Sequence, residues 1–326
     1  MSSMYGYDAK STDDPCILAA DKTFTLGMEL LSPGGSLINL IPLLRFVPPW
    51  FPGAISQQKA QEARMLTKKV VSIPLEFTKA QVAEGNARPS VVGDFLKKKN
   101  TVGASKEEEE ATLIVASTAY AAASDTTQSA TGTFIYLMVC NPDIQRKAQA
   151  EIDSVLGGKR LPTYEDRPCM PYNEAIYREV LRWRPPGSVG VPHCSIEDDF
   201  YDGYFIPKGS TLLGNIWAMT HDETRYENPM SFNPERFFNP DGTLNDDDRI
   251  MAFGFGRRVC IGKHVASATV IPAVFNLEKA RDKSGNTIEV NDEYCEFGLI
   301  SRKKPFVCSI VPRSDISREL VEKLDT

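Results

Sequence analysis

Apolar positions recur along this chain mainly with the period of a helix. Residues 15–31 and 54–86 carry mixed apolar spacing with few breakers, which predicts two helices. KKKNTVGASKEEEEA, residues 97–111, predicts a polar connection into the longest helix, from about Lys106 to Cys140. At 1.5 Å of rise per residue that helix spans about 50 Å. Glu107 to Glu110 fall at its positive dipole end, where a solvated helix start accounts for them. Asn141 can then cap and Pro142 can take the first position of a second amphipathic helix. That helix runs to Leu156 and stops at Gly157-Gly158. A third covers roughly Met170 to Trp183 and ends before Pro185-Pro186. Beyond it the period shortens. GYFIPKGSTLL at 203–213 predicts a hairpin with its turn near Pro207–Gly209. A short helix near 215–220, a proline-rich meander at 228–240, a cysteine-bearing loop, another helix and strands near 287–311 complete the chain. The pattern is mainly α with small β-sheets toward the C-terminal half. It contains no internal repeat and no low-complexity segment.

One apolar run does not fit a helix. LINLIPLLRFVPPWFPG, residues 37–53, is broken by Pro42, Pro48, Pro49 and Pro52 and carries Arg45. A membrane span needs about 20 predominantly apolar residues in one helix, and these prolines prevent it. The run predicts an apolar loop between helices. It either packs on the core, dips into a membrane surface or lines a ligand entrance.

Composition narrows the field. The 326 residues are 42% hydrophobic and 25% charged, which are globular proportions. A net charge of -6 argues against nucleic acid as the main partner. Seven cysteines without a secretory signal at the start suggest free thiols in a reducing compartment.

One of those cysteines is unusual. Residues 253–262 read FGFGRRVCIG. A lone cysteine is most often a small buried hydrophobe. Here Arg257, Arg258 and Lys263 create a positive field that favours thiolate. Gly256 allows a tight turn whose N–H groups can point at sulfur. Gly262 leaves room for something flat, and Phe253 can shield the sulfur from water. Such surroundings suit a buried metal–thiolate bond. A zinc site would need more ligands at short spacing, and only His264 is near. A haem needs one protein thiolate, and its carboxylates need arginines.

At these residues the chain resembles a known family. Phe253, Gly256, Arg258, Cys260 and Gly262 match the F-x-x-G-x-R-x-C-x-G loop of the cytochrome P450 family, the haem-thiolate monooxygenases. Ile261 stands where many members have proline. Glu179-Val-Leu-Arg182 resembles the family's E-x-x-R helix motif, and FNPERF at 232–237 its meander segment, whose arginine is here Arg236. An i,i+3 pair alone is worth only about 0.2–0.5 kcal/mol. A buried three-way cluster would hold the cysteine loop. AASDTT, Ala122 to Thr127, resembles the A/G-G-x-D/E-T segment of the long helix, with Ala123 in place of the usual glycine.

The resemblance implies a cytochrome P450 fold, as a single partial domain over 1–326. Its parts are 1–105 before the long helix, 106–140 the oxygen-side helix, 141–252 helices, hairpins and meander, and 253–326 the thiolate loop, its succeeding helix and the C-terminal strands. It implies haem b with Cys260 as axial ligand and Arg258 at a propionate. His193, in GVPHCSIEDD, falls where the family often has a basic residue near a propionate; an edge-strand histidine bonded to backbone is the other reading. Asp125 and Thr126 would deliver protons toward bound dioxygen. Electrons would come from NADPH through a reductase docked near Arg257 and Lys263. One oxygen atom would enter a hydrophobic substrate, in fungal secondary metabolism or xenobiotic oxidation, in the manner of members such as those resembling O-methylsterigmatocystin oxidoreductase. Full-length members sit on the cytosolic face of the endoplasmic reticulum membrane. The chain is expected to begin inside the fold, without the anchor, and to be cytoplasmic. The helix after Cys260 is expected to be short, broken at Pro272. A non-catalytic relic unable to hold haem, and a haem-thiolate isomerase or dehydratase, are the alternatives.

Overall fold

Local signals set the start of the long helix. Ser105 and Glu108 exchange hydrogen bonds across its first turn, the serine Oγ accepting from Glu108 N at 3.1 Å and Glu108 Oε2 from Ser105 N at 2.9 Å. The computed structural model describes residues 1–9, 13–31, 35–267, 274–295 and 299–322, and these divide into two compact units, one built from residues 1–125 and one essentially from residue 126 onward.

The first unit holds helices α1 (Ser2–Tyr5), α2 (Pro15–Leu31), α3 (Leu37–Leu40), α4 (Ile55–Ala83), α5 (Val91–Val102) and the start of α6 (Lys106–Cys140). Helix α4 packs against α2 and α5. Tyr5, Val92, Leu96 and Ala116 form one buried cluster, with Leu75, Val82 and Leu113 against it. Thr78 Oγ1 donates to Tyr5 O at 2.5 Å and to Pro74 O at 2.7 Å, tying α1 to α4. Helix α5 corrects the expected polar connection. The three lysines of 97–99 lie on its last turns, Ser90 Oγ caps it at Gly93 N, and only residues 103–105 separate it from α6. Val92 and Leu96 stabilise it by burial, which outweighs the polar composition of its end.

Within the run 37–53 the chain forms α3 and a 3-10 turn, Pro42–Phe46. Its large side chains are not packed on this core: Leu43 is 75% and Trp50 79% exposed. Among the described residues no helix is long and apolar enough to cross a membrane.

The second unit holds the rest of α6, then α7 (Pro142–Leu156), α8 (Pro171–Trp183), α9 (Ile216–Thr220), α10 (Lys263–Ser267) and α11 (Asp315–Glu322). Its strands are β1 (His193–Cys194), β2 (Asp199–Tyr201), β3 (Tyr204–Ile206), β4 (Thr211–Leu212), β5 (Phe275–Lys279), β6 (Tyr294–Cys295), β7 (Arg302–Lys303) and β8 (Cys308–Pro312). They pair antiparallel as β1–β4, β2–β3, β5–β8 and β6–β7. The chain is thus mainly α with small sheets. Phe134, Leu137 and Met138 of α6 meet Ile176, Tyr177, Val180 and Leu181 of α8 in the main core. Each such aliphatic side chain contributes about 1.5–3 kcal/mol on burial. Gln145 of α7 clasps Leu277 of β5, donating to its carbonyl at 3.0 Å and accepting from its N–H at 2.9 Å.

Two details differ from expectation. The hairpin turns at Asp202-Gly203, both at positive φ, so that Phe200 faces Phe205. An Asp-Gly pair suits a two-residue hairpin turn. The turn at Pro207 also forms, with Ser210 N bonded to Pro207 O at 3.1 Å, but its two sides pair elsewhere, with β2 and with β1. Asn141 does not cap through its side chain; its Nδ2 donates back to Leu137 O at 2.8 Å. Pro272 lies outside the described residues.

Candidate functional site

The cysteine loop is shaped by backbone constraints. Gly254 has φ 75° with ψ −162°, and Gly256 has φ 57°. Both values disfavour side chains with a Cβ. The turn brings Cys260 N to Phe253 O at 2.8 Å and Val259 N to Gly256 O at 3.1 Å. Phe253 packs against the core shared by α6 and α8, and the turn Met251–Phe253 rests on α8 and α9. The far side of the loop is seated differently. Gly190 N donates to Gly214 O at 2.8 Å, and a Cβ on Gly214 would lie 3.0 Å from the Phe255 ring. That ring therefore closes over a glycine seat.

Cys260 itself is exposed, as are Gly256, Arg257, Arg258 and Lys263. Among the described residues none of those three cationic side chains has an ion pair or hydrogen bond. Ile261 is 94% exposed, and Phe255 and Val259 are also open. A Cβ on Gly262 would sit 3.7 Å from Cys260 Sγ, so the glycine keeps the sulfur's flank free. The expected backbone donors to sulfur are not in place. Among the described residues no N–H reaches Sγ; the N–H groups of Val259 and Cys260 serve the loop's own carbonyls, Gly256 O and Phe253 O.

Beneath the loop lies a charged cluster. Glu179 on α8 is fully buried. Its Oε2 accepts from Arg182 Nε at 2.6 Å. Its Oε1 accepts from Arg182 Nη2 at 2.9 Å, Arg236 Nε at 3.2 Å and Asn233 N at 2.8 Å. The arginines spend their remaining donors on carbonyls: Arg182 on Thr220 and Ser231, Arg236 on Glu227, Asn228 and Ser231. A carboxylate satisfied this fully offsets its loss of water. Sequence reasoning missed Asn233, although Asn-Pro-Glu-Arg is a helix-start pattern and its side chain caps Glu235 N at 3.1 Å.

The other candidates lie on α6 and β1. Asp125 is buried and Thr126 half-buried at consecutive positions of α6. His193 is exposed on β1, opposite Leu212. Phe253, Gly262 and Cys260 come together in the loop, and Glu179, Arg182 and Arg236 come together below it.

A haem asks a protein for a reachable thiolate, cations free to meet its carboxylates and apolar cover. The loop offers an open thiol, three cations without counter-ions among the described residues and exposed Phe255, Val259 and Ile261, so its residues fit the group. Among the described residues no cluster of His, Cys, Asp and Glu could hold a metal ion unaided.

Comparison with known proteins agrees. The family model described as Cytochrome P450 matches residues 3–271. A protein named Cytochrome P450 monooxygenase ple1, from Rhodocybe pseudopiperita, is 40% identical over 98% of this chain and 63% of its own length. Cytochrome P450 monooxygenase 208 of Postia placenta is 40% identical over 97% of this chain and 62% of its own. An O-methylsterigmatocystin oxidoreductase of Aspergillus flavus is 37% identical over 91% of this chain and 56% of its own. The chain spans about three-fifths of the length of these curated relatives.

Proposed function

The chain belongs to the cytochrome P450 family, and from that premise we propose that it serves a haem-dependent monooxygenase reaction on a hydrophobic organic substrate. Haem b, when bound, supplies the activation of dioxygen and the transfer of one oxygen atom, with electrons drawn from NADPH through a reductase. The chain's own residues do the rest. Cys260 would hold the haem iron through its sulfur. Arg258, with His193, neutralises the acidic arms of the porphyrin. Gly256 and Gly262 keep the loop tight and its flank open, and Phe253 anchors it to the core. Asp125 and Thr126 hold and pass protons at a carboxyl and a hydroxyl, a general-acid role. Glu179, Arg182 and Arg236 fix the meander and the helix under the loop.

The substrate class we assign is a polyketide, terpenoid or aromatic compound of fungal secondary metabolism, by analogy with the fungal relatives. Arg257 and Lys263 offer a basic patch for the reductase. The exposed apolar run 37–53 offers contact with a membrane surface, consistent with the family's usual place on the cytosolic face of the endoplasmic reticulum.

The observation that carries this reading is an exposed thiol in the matching loop, beside cations that no carboxylate among the described residues neutralises. Expression, haem reconstitution and a reduced carbon-monoxide difference spectrum test it. A thiolate-type Soret band is expected; failure to take up haem would sink the reading. Oxygen consumption supported by a reductase and a candidate substrate then separates oxygenation from isomerisation.

A further inference from the structure

Ser129 lies on α6, one turn after Thr126, and is 3% exposed. Hydroxyls inside a helix commonly turn back to a carbonyl of their own preceding turn. Thr23 does so with Ala19 O at 2.7 Å, Thr67 with Ala63 O at 2.8 Å and Thr112 with Glu108 O at 2.8 Å. Ser129 instead donates across space to Ser301 O. Ser301 is itself buried, and its N–H donates to Pro186 O at 2.7 Å, just beyond the end of α8. One serine hydroxyl thus ties α6 to the segment entering β7, and through it to the chain leaving α8.

Little else holds the helix at this point. Between Ala116 and Thr133 the buried side chains of α6 are Asp125 and Ser129, both polar. An apolar face normally sets how a helix is rotated against its neighbours. On α6 full apolar burial resumes only at Phe134. The strands β6 and β7 follow the helix there. Thr133 Oγ1 accepts from Tyr294 OH at 3.3 Å, and Lys303 Nζ lies 4.6 Å above the Tyr136 ring. Tyr294 and Lys303 face each other across the strand pair. The bond from Ser129 extends this series of contacts one turn toward Thr126. Residues three apart share a helix face, so a rotation permitted at Ser129 carries the Thr126 hydroxyl with it.

We propose that Ser129 is a positioning residue: its bond to Ser301 O fixes the rotation of α6 and thereby the place of the Thr126 hydroxyl. The proposal rests on Thr126 passing protons at a haem held by Cys260. Removing the Ser129 hydroxyl leaves Thr126 present but wrongly placed.

The test compares the full haem-loaded chain, reduced under carbon monoxide, with Thr126→Ala, Ser129→Ala and the double variant. The infrared stretching band of the bound gas shifts with the polar groups beside it. Thr126→Ala is expected to shift the band and Ser129→Ala to reproduce most of that shift. The double variant should shift it no further than Thr126→Ala alone, because the two residues act as one unit. In the haem-free chain, Ser129→Ala should speed amide exchange at Ser301 by about three- to tenfold, the loss of one net hydrogen bond. Thr133→Val, which breaks the bond from Tyr294 with little change of shape, controls for simple loosening of α6 and leaves the band in place. A silent Ser129→Ala beside a shifted Thr126→Ala overturns the proposal alone. So do additive shifts in the double variant, an equal shift in Thr133→Val, or unchanged exchange at Ser301. A Thr126→Ala band like that of the parent overturns the proton-delivery reading and this role together. A parent chain without a thiolate spectrum removes the ligand assignment and this role together.

Discussion

Cys16 and Cys260 are the same side chain in opposite settings. Cys16 opens α2 in the first unit, fully buried, with its Sγ bonded to Val70 O at 3.8 Å. Burial pushes its thiol up to about 11; Asp14 adds to the rise and the chain's amino terminus opposes it. Cys260 stands exposed in the second unit, on a loop bent by two positive-φ glycines and flanked by cations that have no counter-ion among the described residues. A thiol held neutral among apolar groups is a packing element, while one in a cationic, open turn is a potential ligand. The largest expected effect lies here. Cys260→Ser abolishes the thiolate-type spectrum of the haem-loaded chain, and Cys16→Ser leaves it in place. Site-resolved alkylation of the folded, haem-free chain marks Cys260 and spares Cys16. Equal labelling of the two would erase the contrast.

One charged cluster of the second unit differs as sharply from two ion pairs of the first. In the second, the fully buried Glu179 serves two arginines and a backbone N–H. In the first, Lys22–Glu62 lies on the surface and Lys59–Glu29 is only about one-third exposed at each side chain. Glu179→Ala strands two arginines and is expected to cost about 3–5 kcal/mol in urea unfolding. A loss below 1 kcal/mol would mean the cluster is solvated in practice.

That cluster was half legible. E-x-x-R and FNPERF are local patterns, and α8 shows its buried face through spacing alone. The long helix and the loop were readable for the same reason, since caps, glycines and charges act within a few residues. The features that escaped depend on distant partners. The strand pairs join residues 193 to 212 and 275 to 312, and no local signal names a partner. The lysines of 97–99 masked α5, whose stability comes from Val92 and Leu96 against other helices.

Histidine gives a milder contrast. His193 is exposed, whereas His221 stacks on Trp217 at 3.7 Å and its Nδ1 donates to Trp217 O at 3.0 Å. Burial lowers the His221 pKa; the Trp217 carbonyl opposes this, Arg182 and Arg184 lower it further, and the Trp183 carbonyl opposes. The unfolded chain therefore takes up a proton near the ordinary imidazole value of about 6.5, before the folded chain does. Stability from this group is complete above that pH and declines as pH falls below it. The denaturation midpoint should drop on acidification through that range, and His221→Phe should flatten the drop. An equal slope in the variant would assign it to other groups.

The smallest effect is expected at the surface of the first unit. Lys59 and Glu29 join α4 to α2, and each side chain keeps about a third of its area in water. Water and salt screen such a pair, and ordering two long side chains offsets much of the attraction. Lys59→Ala should cost no more than about 1 kcal/mol, and less in high salt. The distinction from Glu179 is therefore one of salt response as well as size, because a fully buried cluster is screened far less than an open one. Urea unfolding of both variants at low and high salt measures this. If Lys59→Ala matched Glu179→Ala in magnitude and in indifference to salt, burial would not be what separates the two units' charges.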